Sequence, residues 1–387
     1  TMSEIKVNSI KGVGATNAAI TVNNSDGTCT ANLTNRINKN IVQNGAMLVA
    51  QKGVGPAQVD GIGSVDRFKL QQNSVSNHPT QSQVDVASGT TPYSLGFRKA
   101  LKLINGSNTV GTDDILVMKQ VIEAQNMASS GWNYTSDLSF ITLQFWIKSS
   151  VPQNFYFYLR TYDGTAQIFP METGSLTADT WTKITKTIPG NSNLQFDNNA
   201  NEGVEVTLNP YLGTDRTDPS VSLNSWAAYG SGTTRTPTQT STWYTTNNAT
   251  LEFTGFQLEV GSVATDFEHR SFGQELALCQ RYYQQSYEHG TSAGTNTNTN
   301  SIVWYPDATN NYASVSFGLP VVMRTQPTVT IYSSTGASGK IRNADAATDH
   351  NSYVNTNNNS FLMFAVNNSQ ISQTNTVRCH YTASAEL

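Results

Sequence analysis

Phe140-Ile141-Thr142-Leu143-Gln144-Phe145-Trp146-Ile147-Lys148 alternates residue by residue. Ile141, Leu143, Phe145 and Ile147 share one parity. Thr142, Gln144, Trp146 and Lys148 share the other. A period of two belongs to a strand with one buried face, because successive side chains leave a strand on opposite sides. Phe155–Tyr162 repeats the pattern, with Phe155, Phe157 and Leu159 against Tyr156, Tyr158, Arg160 and Tyr162. Val204, Val206 and Leu208 continue it, and Lys99–Ile104 sets Leu101 and Leu103 on one face. Ile115–Ile122 has no alternation, which predicts a strand covered on both sides. In Leu251–Val260 the apolar parity slips at Thr254-Gly255, so a β-bulge is expected there. Strands at this spacing, parted by turn residues, predict a β-sandwich.

Composition agrees. The chain has 387 residues, which favours more than one domain. Charged residues make up 13%, against about 25% in an ordinary domain. Asn, Ser, Thr and Gly replace them, and these residues suit turns and strands. Lys and Arg number 23 and Asp and Glu 27, a net charge of −4. No basic run is present, which argues against a nucleic-acid partner. No apolar run is long enough to enter a membrane, and no signal peptide is expected. Cys29, Cys279 and Cys379 are odd in number and far apart, so unpaired thiols are expected.

Four segments follow. Residues 1–40 hold two short strand candidates and too little apolar content for a core of their own, so a small N-terminal β module that packs on a partner is expected. Residues 41–270 form the central sandwich. Residues 271–289 are a connector with one short helix: Ser271 and Gln274 make a capping box, and Phe272, Leu276, Cys279 and Tyr283 fall on one helical stripe. Residues 290–387 begin with a polar loop, Gly290–Ser301. A second β-sandwich follows, with strands at 302–305, 313–317, 328–332, 361–366 and 376–382 and a turn-rich insert at 355–359.

The stretch Phe253–Tyr283, which contains Phe253-Thr254-Gly255-Phe256-Gln257-Leu258-Glu259-Val260-Gly261 and Leu278-Cys279-Gln280-Arg281-Tyr282-Tyr283, closely resembles a segment common in bacteriophage tail-fibre proteins. There it closes a jelly roll like those of carbohydrate-binding modules. Asn44-Gly45-Ala46-Met47, Phe145-Trp146-Ile147-Lys148 and Trp181-Thr182-Lys183 are similar to other strands of that module. Ser3-Glu4-Ile5-Lys6-Val7-Asn8 resembles the start of marine and cyanobacterial phage fibre proteins, and His380–Leu387 resembles their end. The resemblance implies an all-β virion protein with a central jelly roll and a homotrimeric fibre. It also implies N-terminal attachment to other virion proteins, synthesis in the host cytoplasm, and adhesion to host-surface glycan. Two rival readings are a structural virion component that binds no receptor and a polysaccharide depolymerase.

Sugars stack on aromatic faces while polar neighbours hold their hydroxyls. Tyr156, Tyr158, Arg160 and Tyr162 stand in a row on one strand face, spaced by roughly 6.6 Å, and are candidate ligand contacts. Trp132, Trp226 and Trp243 fall in predicted loops and are further candidates. Burial beneath another sheet, a loop or a subunit is the competing reading for the residues of that strand face. Modules of this kind often carry structural calcium, and Asp60, Asp66, Asp113 and Asp114 are the carboxylates near turns, but none sits in a spacing-defined calcium loop. The five histidines are isolated, so no metal site is expected. No nucleophile elbow, triad or phosphate loop is present, and no short repeat of a depolymerase β-helix, so no catalytic residue and no cofactor is assigned.

Overall fold

The computed structural model describes residues 7–11, 13, 20–22, 29–31, 38–230, 232–306, 312–367, 371 and 374–387. Its N-terminal strands Ser9–Ile10, Ile20–Val22 and Cys29–Ala31 pair into a small antiparallel sheet. Ser9 and Ile10 are both exposed. The expected start of the first strand, at Glu4, lies outside the described residues.

The central unit is a sandwich of two antiparallel sheets. One runs, edge to edge, through Ala227–Ala228, Gln167–Ser175, Asn154–Thr161, Glu202–Leu212, Ile115–Glu123 and Lys69–Asn73. The other runs through Thr182–Pro189, Phe140–Ser149, Asn247–Val260, Lys99–Gly106 and Thr80–Asp85. The chain crosses repeatedly between the sheets, as in a jelly roll. The alternating apolar residues meet between the layers: Leu101, Leu103, Ile141, Leu143, Phe145 and Ile147 from one sheet, and Phe155, Phe157, Leu159, Val204, Val206 and Leu208 from the other. Phe145 stacks on Phe256 with centroids 4.7 Å apart and meets Phe157 edge-on at 5.2 Å, both favourable aromatic geometries. The pairing of Asn247–Val260 with Phe140–Ser149 shifts between Thr254 and Gln257. That is the expected bulge, and Gly255 sits there at φ +70°. Ile115–Glu123 is covered on both faces.

The helix runs Phe272–Gln280, and Ser271 and Gln274 form both halves of the capping box. Its buried face is Glu275 and Cys279. The expected stripe is therefore corrected: Phe272 is exposed, and Tyr283 lies beyond the helix in the strand Tyr283–Gln285. The reason is polar. Glu275 accepts the backbone N–H of Asn44 and pairs with Arg270 at 3.5 Å, which draws it inward.

Tyr283–Gln285 pairs with Val377–Ser384, so it joins the last sheet. That sheet has eight strands. Val377–Ser384 also pairs with Ile302–Trp304, Thr328–Ser333 and Lys340–Asn343. Thr348–Asn357 turns the corner: residues 348–351 pair with Lys340–Asn343, and residues 352–357 pair with Phe361–Asn367. A strand that serves two halves in this way folds one sheet into a sandwich. Trp304, Ile331, Ile341, Leu362, Phe364 and Val377 fill it. Cys279 and Cys379 are buried free thiols.

A polar junction joins the two sandwiches. Arg67 is 3% exposed; its Nη1 pairs with Glu386 at 2.5 Å, its Nη2 donates to Val121 O at 2.6 Å, and its plane lies 3.4 Å over the Tyr282 ring. Glu123 is fully buried and receives Arg281 Nε and Nη2 at 2.6 and 2.7 Å and the Tyr282 hydroxyl at 2.6 Å. Burial raises the Glu123 carboxyl, but Arg281 and Tyr282 outweigh it and hold it below the ordinary range.

Asp66 behaves the other way. It accepts Gln51 N and Nε2 at 2.9 and 2.6 Å, yet burial lifts its carboxyl from 3.8 to about 6. The native state therefore binds a proton more tightly than the unfolded chain, and this group's contribution to stability falls as pH rises through that window. Asp66→Asn removes the titration. Its stability relative to wild type rises by about 2–3 kcal/mol between pH 4 and pH 7.5, read by urea unfolding. Parallel pH profiles for the two proteins would contradict this.

Candidate functional site

Register decides which residues share the outer face of the six-stranded sheet. Arg160 stands opposite Ile168 on one side and Glu205 on the other. Tyr158 stands between Pro170 and Thr207, and Tyr156 between Glu172 and Asn209. Thr207 lies opposite Lys119, which lies opposite Lys69. Five strands thus supply one polar and aromatic face, and the core residues point the other way. The segment between Leu212 and Asn247 returns over part of it. Tyr229 N donates to Ala166 O at 2.7 Å, and Arg235 N donates to Arg216 O at 2.7 Å. These bonds hold Tyr229 and Arg235 against the face.

The side chains interlock. The Arg160 guanidinium lies 4.4 Å from the Tyr162 ring centroid and 4.1 Å from that of Tyr229, two cation–π contacts. Arg235 Nη1 reaches the Tyr158 hydroxyl at 3.5 Å. Glu205 is 1% exposed. It takes Lys119 Nζ at 3.1 Å, Tyr162 Oη at 2.6 Å and Arg160 Nη1 at 3.7 Å. Burial raises its carboxyl, but Lys119, Tyr162 and Arg160 together hold it below the usual range, so it is ionised at neutral pH. Burial, with Glu205 beside them, pushes the Tyr158 and Tyr162 hydroxyls well above their ordinary value, so both stay protonated donors.

The floor of this face is incompletely satisfied. Asn209 and Thr207 are fully buried, yet neither Asn209 amide atom nor Thr207 Oγ1 has a hydrogen-bond partner among the described residues. Arg160 Nε, Arg216 Nε and Arg235 Nε are likewise unpartnered. An unpaired buried polar group costs about 1–3 kcal/mol, and six such atoms come from one sheet face and the segment folded on it. Native interiors rarely leave such a cluster unless it serves a purpose. At the other end of the face, Ile115, Val117 and Leu212 form a small covered apolar cluster.

Of the seven predicted contacts, four come together here: Tyr156, Tyr158, Arg160 and Tyr162. Tyr158 is 1% exposed, so it offers its hydroxyl and not a stacking face; Tyr156, Tyr162 and Tyr229 are only half-buried. Two of the three tryptophans, Trp132 and Trp243, are buried and so corrected, while Trp226 is half-exposed. Trp132 packs in the main core and donates Nε1 to Ser139 O at 3.3 Å. Trp243 is fully buried in the short helix Thr242–Thr245. Trp226 lies against Phe169 and donates Nε1 to Pro189 O at 2.7 Å. Bulky rings in turn-rich segments close the sandwich edges because each adds a large apolar area. Lys119, Glu205, Thr207, Asn209, Tyr229 and Arg235 were not singled out from sequence. The parity of Glu205, Thr207 and Asn209 opposite Val204, Val206 and Leu208 was the available signal for three of them.

The four aspartates weighed for calcium each serve a separate place. Asp60 accepts Gln72 N, Asp66 accepts Gln51, Asp113 accepts Ser74 Oγ, and Asp114 accepts Gly111 N and Tyr244 Oη. Among the described residues no group of three or more His, Cys, Asp or Glu side chains is placed to hold a metal ion.

No protein-family model matches the chain, and no curated protein matches it. Some solved structures are similar in part. The enzymatically active domain of tailspike protein 4 from bacteriophage CBA120 aligns with 57% of this chain at 10% identity and a TM-score of 0.31. The chain spans only 21% of that protein's length. A putative sugar-binding protein from Bacteroides thetaiotaomicron aligns over 58% of this chain and all of its own, at 10% identity and a TM-score of 0.29. A family 11 carbohydrate-binding module from Clostridium thermocellum aligns over 56% of this chain and 99% of its own, at 12% identity and a TM-score of 0.26. Likenesses this slight do not establish kinship.

Proposed function

We propose that the outer face of the six-stranded sheet binds a saccharide, and that the chain is a non-catalytic receptor-binding protein of a phage tail fibre. The observation that carries the first part is the half-buried aromatic row of Tyr156, Tyr162 and Tyr229 with the guanidinium groups of Arg160 and Arg235 set among it. Hydroxyl-rich ligands need that mixture: aromatic faces for the C–H side of a sugar ring and fixed polar groups for its hydroxyls. The second part is supported by the resemblance of Phe253–Tyr283 to fibre sequences. The N-terminal module, whose described residues include exposed Val7, Ile10 and Val13, suits assembly into a trimer on the virion. Three copies on one surface turn weak contacts into firm adhesion.

The test is affinity electrophoresis of the full chain through gels holding single soluble polysaccharides, with reducing ends assayed in parallel. At least one polysaccharide should retard the wild type, and Tyr229→Ala should weaken that interaction about tenfold. Retardation unchanged by Tyr229→Ala would remove this face from the account. Release of reducing ends would replace the binding reading with a depolymerase.

A further inference from the structure

We infer that the saccharide taken by this face carries an oxyanion, a carboxylate or a sulfate. The inference rests on the saccharide reading above. The whole chain is acidic, with a net charge of −4, yet this face runs against that balance. Lys69, Lys119, Arg160 and Arg235 stand on it or over it, against two carboxylates, Glu205 and Glu172. Glu172 takes the Asn154 amide at 2.8 Å at the far end. Glu205 is already shared by Lys119 and Arg160.

The Lys119 charge is met by Glu205 at 3.1 Å, but Lys69, its direct cross-strand partner, sets a second positive charge beside it, and like charges so placed destabilise a sheet. Arg235 is half-buried with no carboxylate at ion-pair distance among the described residues; its contacts are the Tyr158 hydroxyl and the Tyr229 ring, 6.0 Å away, and its Nε has no partner. A guanidinium fixed by the Tyr158 hydroxyl and the Tyr229 ring is suited to receive a planar or tetrahedral oxyanion at its half-exposed edge. Asp163 and Asp197 sit together beyond the Tyr162 end, with Asp197 N donating to Asp163 at 2.9 Å. The anion therefore binds toward Arg235 and not toward Tyr162.

The test uses matched polymers: polygalacturonate, the same polymer fully methyl-esterified, dextran sulfate, neutral dextran and galactan, and single-stranded DNA. Binding of the full chain is read by affinity electrophoresis and by titration calorimetry at two salt concentrations. The expected result is binding to polygalacturonate or dextran sulfate, and binding to the ester or to dextran weaker by about tenfold or more. The two acidic polymers tell a carboxylate site from a sulfate site. Arg235→Ala should weaken acidic-polymer binding by about ten- to a hundredfold. Lys69→Ala, at a half-buried position on an edge strand, should weaken it and reduce its salt dependence with a melting midpoint no lower than that of the wild type, because a like-charge pair is relieved. Equal binding of acid and ester, or a neutral glycan held equally by wild type and Arg235→Ala, would overturn this inference and leave the saccharide reading standing. Retention by none of the polysaccharides would overturn both. Retention by DNA as strong as by any glycan would make the face a general polyanion site and overturn the inference as well.

Discussion

Arg67→Met lowers the thermal midpoint of the chain by about 10 °C. Arg67 is the bolt between the two sandwiches. Its guanidinium pairs with Glu386, donates to Val121 O and to Gln43 Oε1 at 3.0 Å, and covers the Tyr282 ring. Methionine fills a similar volume but satisfies none of these partners, and Glu386 keeps its charge in a half-closed site. Breaking one side of such a buried pair costs about 3–5 kcal/mol, and each kcal/mol moves the midpoint by about 2–4 °C in a domain of this size. Calorimetry should show the loss, with the second sandwich melting as a separate, earlier event. Glu386→Gln in the Arg67→Met background should recover part of it, because the stranded charge is gone. A midpoint unchanged by Arg67→Met would mean that the junction contributes nothing to stability.

Asn209→Leu and Thr207→Val behave in the opposite sense. A buried polar side chain that serves the fold loses stability when it is made apolar. Asn209 and Thr207 have no partners to lose, and an apolar group of similar shape removes a desolvation cost of about 1–3 kcal/mol per residue. Both variants should therefore unfold at equal or higher urea concentration than the wild type. Both should keep saccharide binding, because these side chains lie beneath the face and not on it. A clear loss of stability in both variants would mean that these side chains support the sheet.

Most of the fold was legible because burial on one face of a strand writes itself as alternation. Ile141, Leu143, Phe145 and Ile147 fixed one layer, Phe155, Phe157 and Leu159 the other, and the parity slip at Thr254-Gly255 gave the bulge. Lys340–Asn343 and Thr348–Asn357 were not legible. Thr348–Asn357 reads Thr-Asp-His-Asn-Ser-Tyr-Val-Asn-Thr-Asn, and its described residues are exposed or half-buried. A corner strand that buries little carries no apolar period. The helix stripe was misread because Glu275, a charged residue, occupies the buried side, held by Asn44 and Arg270.

The site was half legible. Tyr156, Tyr158, Arg160 and Tyr162 share one strand, so their common face follows from parity alone. Glu205, Lys119 and Arg235 join them only through the register of three other segments, and register is a property of pairing that a single strand does not record. Trp132 and Trp243 were misread for a related reason. A loop assignment says where the backbone is irregular, but Trp132 and Trp243 turn inward from such segments to seal the core.

Hydrogen–deuterium exchange of the full chain, with and without a bound polysaccharide, tests the central claim most directly. The account predicts slowed exchange in residues 154–162 and 202–212 and in the covering segment around Tyr229 and Arg235, with the sandwich of residues 290–387 unchanged. Protection confined to residues 290–387 would place the receptor site in the C-terminal sandwich and contradict it.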